Sequence, residues 1–233
     1  MPARARRREA AATSIPRDGP GSAPEAGLPP AERRLLASLL GPVRCRLRYW
    51  EAEPEPGRKL PVEPLLADLA GLAPGLELRR EEDPPREPAE PPLLGRPEIR
   101  LERPGGLPAR LRFAGYPAGF VRLELAEALL ALGGNGAEPS AAGEAGAPAG
   151  GETPVPEAVV WVSPTCARCA RTVRLALAVV LALPRARLTV VTASEFPREA
   201  RAAGVQAVPT LVAGGRRWSE PPAPAELWAA LAG

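Results

Sequence analysis

Cys166 and Cys169 stand three residues apart, with Ala167 and Arg168 between them. They lie between an apolar run, Ala158–Val162, and a stretch of helical periodicity from Cys166 to Leu183. A strand feeding directly into a helix puts the first thiol at the helix N-terminus, where unpaired amides and the aligned peptide dipoles favour a thiolate. Position i+3 lies on the same face one turn further in, so Cys169 is within reach of a mixed disulfide formed at Cys166. Arg168 adds a positive charge between the two thiols and should favour the thiolate further. No acidic residue occurs from Pro164 through Leu183. The chemistry expected of this pair is thiol–disulfide exchange, with Cys166 the more exposed and more acidic thiol, below the free value of about 8.5.

Other uses of a Cys-x-x-Cys are narrowed by the rest of the chain. A structural zinc site takes four Cys or His ligands, and the chain has no histidine and only Cys45 besides the pair. A c-type haem site needs His after the second cysteine, where Ala170 stands. Without histidine, His-based general catalysis and Cys-His proteolysis are also excluded. Two inert buried cysteines remain an alternative, since a free cysteine is often simply a core residue. Cys45, at an apolar position of an alternating strand, is expected to be buried for that reason. No metal and no organic cofactor is expected.

The remaining elements should position the dithiol. The 233 residues allow two small domains, and the 32 prolines and 23 glycines cluster between the periodic segments. Residues 1–30 carry Arg, Pro, Gly, Ser and Ala without periodicity and read as a disordered tail. Ala31–Leu40 reads as a helix with Leu35, Leu36, Leu39 and Leu40 on one face, ended by Gly41-Pro42. Val43–Trp50 alternates Val43, Cys45, Leu47 and Tyr49 against Arg44, Arg46, Arg48 and Trp50, as a strand would. A helix (Val62–Leu72), a strand (Leu76–Glu81), a Pro-rich loop (82–92), two strands (Glu98–Glu102 and Ala109–Phe113) about Gly105-Gly106, and a helix (Phe120–Leu132) follow. Tyr116-Pro117-Ala118-Gly119-Phe120 reads as a tight helix entry, with a docking surface as the alternative. Residues 133–156 are rich in Gly, Ala, Pro and Glu and read as a flexible linker.

After that linker the same order returns. Ala158–Val162 and Arg187–Thr192 are strands around the Cys166 helix, Pro197–Ala203 is a helix, Pro209–Ala213 and Arg216–Trp218 make a hairpin about Gly214-Gly215, and Pro224–Leu231 is the last helix. Strand, helix, strand, helix, hairpin, helix is an α/β order whose first crossover should be right-handed. Trp161 on the central strand and Trp218 at the hairpin end are expected to sit near the dithiol.

Residues 159–215 resemble the C-terminal unit of the glutaredoxin-like protein disulfide oxidoreductases. The likeness is carried by Ser163-Pro164-Thr165-Cys166, by Phe196-Pro197-Arg198-Glu199-Ala200 and by Gly204-Val205-Gln206-Ala207-Val208-Pro209-Thr210. Arg112-Phe113-Ala114-Gly115-Tyr116-Pro117-Ala118-Gly119-Phe120 is similar to a segment in the first half of the same family. The family carries two thioredoxin-like units, and a similar tandem stands at the N-terminus of the alkyl hydroperoxide reductase flavoprotein. The resemblance implies two tandem thioredoxin-like units, 31–132 and 157–233, the first degenerate. It also implies a cis Val208–Pro209 bond beside the dithiol, with Val208, Pro209 and Thr210 binding substrate. Pro97, after Arg96, would hold the equivalent place in the first unit. That unit departs from the pattern, because Trp50 is followed by Glu51-Ala52-Glu53-Pro54-Glu55-Pro56-Gly57-Arg58 with no cysteine.

The function implied is electron exchange with protein disulfides or dithiols, fed by a flavoprotein reductase. The alternative is a thioredoxin-fold interaction module, or an electron relay to a flavoprotein and peroxidase system. Charges are balanced at 30 basic and 27 acidic residues, a net +3, too weak a field to select nucleic acid or an anionic membrane. The longest apolar run, Val173–Leu183, has eleven residues and contains Arg174, against the about 20 needed to span a bilayer. Three cysteines are too few for a secreted disulfide framework, and no apolar stretch follows the basic start at residues 2–8. A soluble, cytoplasmic protein is expected.

Overall fold

A computed structural model of the chain describes residues 27–52, 60–83, 94–103, 110–133 and 155–233. The loop expected at 82–92 lies largely outside the described residues, as do the Gly105-Gly106 turn, the body of the 133–156 linker and residues 1–26 of the tail.

Alternation decides the central strand of each half. In β1 (Arg44–Trp50), Cys45, Leu47 and Tyr49 turn to one side and are buried. In β5 (Glu157–Val162), Ala158, Val160 and Val162 do the same. Around each, the chain builds an identical pattern. β1 pairs in parallel with β2 (Gly75–Arg80) and antiparallel with β3 (Glu98–Glu102), which pairs antiparallel with β4 (Leu111–Ala114). β5 pairs in parallel with β6 (Arg187–Thr192) and antiparallel with β7 (Thr210–Ala213), which pairs antiparallel with β8 (Arg216–Trp218). The registers correspond: Trp50 faces Glu98, the residue after Pro97, and Trp161 faces Thr210, the residue after Pro209. The strand of Cys45 and the strand beginning near Pro97 are therefore neighbours, as an internal repeat requires.

The two halves do not fold as separate sheets. β4 pairs in parallel with β6, Leu111 facing Leu188 and Ala114 facing Val191, giving one eight-stranded sheet in the order β2-β1-β3-β4-β6-β5-β7-β8. Five helices cover one face of it: α1 (Pro30–Leu40), α2 (Glu63–Leu72), α3 (Phe120–Gly133), α4 (Ala167–Ala182) and α6 (Pro224–Ala232). Their apolar stripes and the inward residues of the sheet form a single core that runs from Leu36 through Leu125 and Val173 to Leu231.

Three details differ from the sequence expectation. In α1 only Leu36 and Leu40 are buried, while Leu35 and Leu39 are exposed, because the helix meets α2 and α3 along a narrower stripe than four leucines would fill. Residues 27–30, assigned to the tail by composition, belong to the fold. Leu28 is buried and its N–H donates to Asp68 Oδ2 at 2.8 Å, and the Gly27 carbonyl accepts from Arg122. Gly133 belongs to α3 rather than to the linker.

The opposite face of the sheet differs between the halves. In the second half it is apolar: Trp161 and Val191 pack with Phe196, with Ala200 of the short α5 (Pro197–Ala202) and with Ala114 from the end of β4. In the first half it is ionic. Glu98 and Arg100 are fully buried and paired at 2.8 Å, Arg112 reaches the same carboxylate at 3.1 Å, and Arg48 bridges Glu81 and Glu102 at 3.1 Å each. The Arg48 and Arg100 guanidinium groups lie 5.3 and 4.9 Å from the centroid of the Trp50 ring, whose indole N–H donates to the Asp83 carbonyl. No helix among the described residues is long and apolar enough to cross a membrane.

Candidate active site

Four residues, Ser163–Cys166, join β5 to α4. The turn closes through Cys166 N–H to the Ser163 carbonyl at 3.1 Å, and Pro164 within it cannot continue the strand ladder. Cys166 is thereby left extended (φ −94°, ψ 98°) as the N-cap of a sixteen-residue helix. Its sulfur accepts the Cys169 N–H at 3.1 Å, a first-turn amide that also donates to the Cys166 carbonyl at 3.0 Å. Cys166 and Cys169 are joined as a disulfide, with Cα atoms 5.3 Å apart. Cys166 is half-buried and Cys169 is 1% exposed. The difference follows from helix geometry: the cap residue lies at the rim, and position i+3 points down onto the core with Val173 and Ala176.

Val208–Pro209 is cis, as is Arg96–Pro97. Thr210 is buried and opens β7 opposite Trp161, its hydroxyl donating to the Ala207 carbonyl at 2.6 Å. This register sets the Val208–Thr210 corner beside the end of β5, the strand that delivers Cys166. Trp161 is buried on the apolar face and Trp218 packs on the main core.

Arg168 is 67% exposed and lies 3.7 Å from Glu220 Oε1, a residue after β8. The acid-free stretch of α4 is thus met through space by a carboxylate that spacing along the chain could not reveal. Cys45 is buried under the first half of the sheet, where desolvation and then the Glu102 charge push its thiol up to about 12. It takes no part in the dithiol. Among the described residues no cluster of three or more His, Cys, Asp or Glu could hold a metal ion.

The first half reaches α4 along its whole length, a relation that sequence reading did not find. At its start, Phe120 N–H donates to the Pro164 carbonyl at 3.0 Å. In the middle, Arg174 pairs with Glu124 at 3.1 Å and Glu127 at 2.9 Å, both on α3. At its end, the Arg110 guanidinium donates to the carbonyls of Val180, Leu183 and Ala186. A cation on the last carbonyls of a helix is favourable in the same sense as an anion at its first amides. The signals were present as charged residues on amphipathic segments, but their partners lie across the linker.

No protein-family model matches the chain, and no curated protein sequence does. Solved structures do. The AhpF component of alkylhydroperoxide reductase from Enterococcus faecalis is similar over 88% of this chain and 99% of that one, at 20% identity and a TM-score of 0.68. A protein disulfide oxidoreductase from Aeropyrum pernix is similar over 87% of this chain and 91% of that one, at 18% identity and a TM-score of 0.63. Sso1120 from Sulfolobus solfataricus is similar over 80% and 95%, at 12% identity and 0.53. At these identities the likeness establishes the fold: two thioredoxin-like units in tandem over nearly the whole chain.

Proposed function

We propose that this tandem thioredoxin-fold chain is a thiol–disulfide oxidoreductase, with residues 157–233 as the unit that does the chemistry and 31–132 as its support. The observation that carries the proposal is the placement of the two sulfurs: one half-exposed as the cap of a helix N-terminus, the other buried one turn below within bonding distance. In the reducing direction, the Cys166 thiolate attacks a client disulfide, forming a mixed disulfide and releasing one client thiolate. Cys169 then loses its proton and attacks the Cys166 sulfur, closing the Cys166–Cys169 bond and releasing the second client thiol. Two electrons and two protons pass to the client, and the dithiol ends as a disulfide. The reverse sequence oxidises a client dithiol.

The amide that meets Cys166 Sγ lowers the energy of negative charge there and makes Cys166 the better leaving group as well. The exposed Arg168 adds a field that Glu220 partly offsets. Val208, Pro209 and Thr210 form the bed along which the client backbone lies. The electron source is a dithiol protein or a flavoprotein reductase. One of the similar structures is itself a protein disulfide oxidoreductase and another a component of alkylhydroperoxide reductase, and these are the two systems in which the dithiol would work.

Insulin reduction with dithiothreitol tests the assignment. Wild type should accelerate precipitation of the B chain, and Cys166→Ser should fall to the uncatalysed background. Cys45→Ala should keep the wild-type rate, since its thiol is buried and far from ionised at neutral pH. Equal inactivity of wild type and Cys166→Ser would leave the fold as an interaction module. In the reduced protein, iodoacetamide should label Cys166 before Cys169, with a midpoint below the free-thiol value of about 8.5. Faster labelling of Cys169 would reassign the nucleophile.

A further inference from the structure

The segment Gly115–Phe120 belongs to the first half yet is fixed to the second at two places. Tyr116 N–H donates to Glu195 Oε1 at 2.9 Å, just past β6, and Phe120 N–H donates to the Pro164 carbonyl at 3.0 Å, just past β5. Both lie at the sheet end that carries the dithiol. The second contact requires a glycine. Gly119 has φ +52°, and a Cβ on it would stand 2.3 Å from the Pro164 carbonyl oxygen. That oxygen is backbone, in the four-residue turn that ends on Cys166, so it cannot yield without moving the turn.

We propose that Gly119 is a positioning residue for the dithiol: through it the first half, which has no dithiol of its own, fixes the Pro164 turn and thereby the cap geometry of Cys166. The inference deepens the oxidoreductase reading and rests on it for its purpose, but not for its test. The remaining contacts along α4 point the same way. Arg110 on the last carbonyls and Arg174 between Glu124 and Glu127 fix the helix from the same half, leaving the Pro164 contact to set where its first turn begins.

The molecule contains its own control. Gly214 has φ +53°, and a Cβ there would stand 2.0 Å from the Ala230 carbonyl oxygen, a clash as severe in the β7–β8 turn against α6. Gly119→Ala and Gly214→Ala should both lower the melting temperature. Only Gly119→Ala should change the thiol chemistry. It should raise the pH midpoint of Cys166 alkylation by about half a unit to one unit, the size of a helix N-terminal contribution, and shift the equilibrium with a glutathione series accordingly. An alkylation midpoint for Gly119→Ala equal to wild type, or an equal shift in both variants, overturns the inference. A shift confined to Gly119→Ala in a protein inactive on insulin supports it while removing the oxidoreductase reading. A second measurement uses the wild-type protein. Because coupling is reciprocal, hydrogen exchange of the Phe120 amide should differ between oxidised and reduced protein by about fivefold or more. Equal protection in the two states overturns the inference even where Gly119→Ala does not fold.

Discussion

The helices that follow the two central strands begin differently. At α4 the sulfur of Cys166 takes a first-turn amide. At α2 the carboxylate of Glu51 does that work from the end of the strand, accepting the Val62 N–H at 3.1 Å and the Glu63 N–H at 2.6 Å. The connection is four residues in one half and twelve, 51–62, in the other. Both ends meet first-turn donors at the positive end of the helix dipole, the third helical amide at α4 and the cap and first helical amides at α2. One does so with a group that can exchange electrons and the other with a group that cannot. The first turn is thus met by a sulfur in one half and by a carboxylate in the other, and the half without the cysteine pair caps its helix with an acid. The outer faces of the sheet diverge as well, with buried ion pairs in the first half and an apolar cluster in the second.

Substitutions can break this contrast, beginning with the ionic layer. Arg100→Leu should cost about 3 kcal/mol in denaturant unfolding, because it removes one of the two guanidinium partners of the fully buried Glu98 carboxylate and leaves Arg112 in place. Phe196→Leu, in the apolar layer of the second half, should cost less than about 1.5 kcal/mol, since an apolar neighbour can repack around it. Equal losses would mean that the two layers do the same job by the same means.

The seam between the halves gives a pH-dependent effect. Glu124 is buried against Arg174, and desolvation first, then Glu127, raises its carboxyl from the ordinary 4.5 to about 7 despite the opposing pull of Arg174. Between those values the folded protein keeps a proton that the unfolded chain gives up. The contribution is thus full below about 4.5 and is lost as pH rises through about 7, to a total of up to about 3 kcal/mol. Urea unfolding at pH 5 and pH 8 should show this slope in wild type and much less of it in Glu124→Gln. Glu51→Ala should cost about 1–2 kcal/mol of stability from the lost cap, with insulin reduction unchanged. A loss of activity there would mean that the α2 end participates in the chemistry.

Much of this arrangement was legible in the sequence, for identifiable reasons. Period-two alternation in Val43–Trp50 and the apolar run at 158–162 gave the central strands, and the Cys-x-x-Cys at a strand-to-helix junction gave the dithiol. Both cis prolines followed from the resemblance. The parallel pairing of β4 with β6 was not legible. Leu111–Ala114 is four residues long, and nothing in Leu-Arg-Phe-Ala says what lies at its free edge. Glu98-Ile99-Arg100-Leu101-Glu102 reads as a strand, but the burial of Glu98 and Arg100 was not legible, because it depends on Arg112 of β4 and not on the strand itself. Leu35 and Leu39 fit a helical stripe as well as Leu36 and Leu40 do, and only the docking angle of α1 separates them.

Joining β4 to β6 changes how the sheet meets other copies of itself. Two independent four-stranded sheets would present four edges with unpaired backbone groups, each a template for adding a strand from another chain. The continuous sheet presents two, β2 and β8. Each carries a pair of adjacent exposed arginines, Arg79 and Arg80 on one and Arg216 and Arg217 on the other. Three of the four are paired with carboxylates, Arg79 with Glu81, Arg80 with Glu63 and Arg216 with Glu226, and Arg217 donates to the Ala203 and Gly204 carbonyls. At high concentration the folded chain should therefore stack edge to edge less readily than two separate four-stranded sheets would.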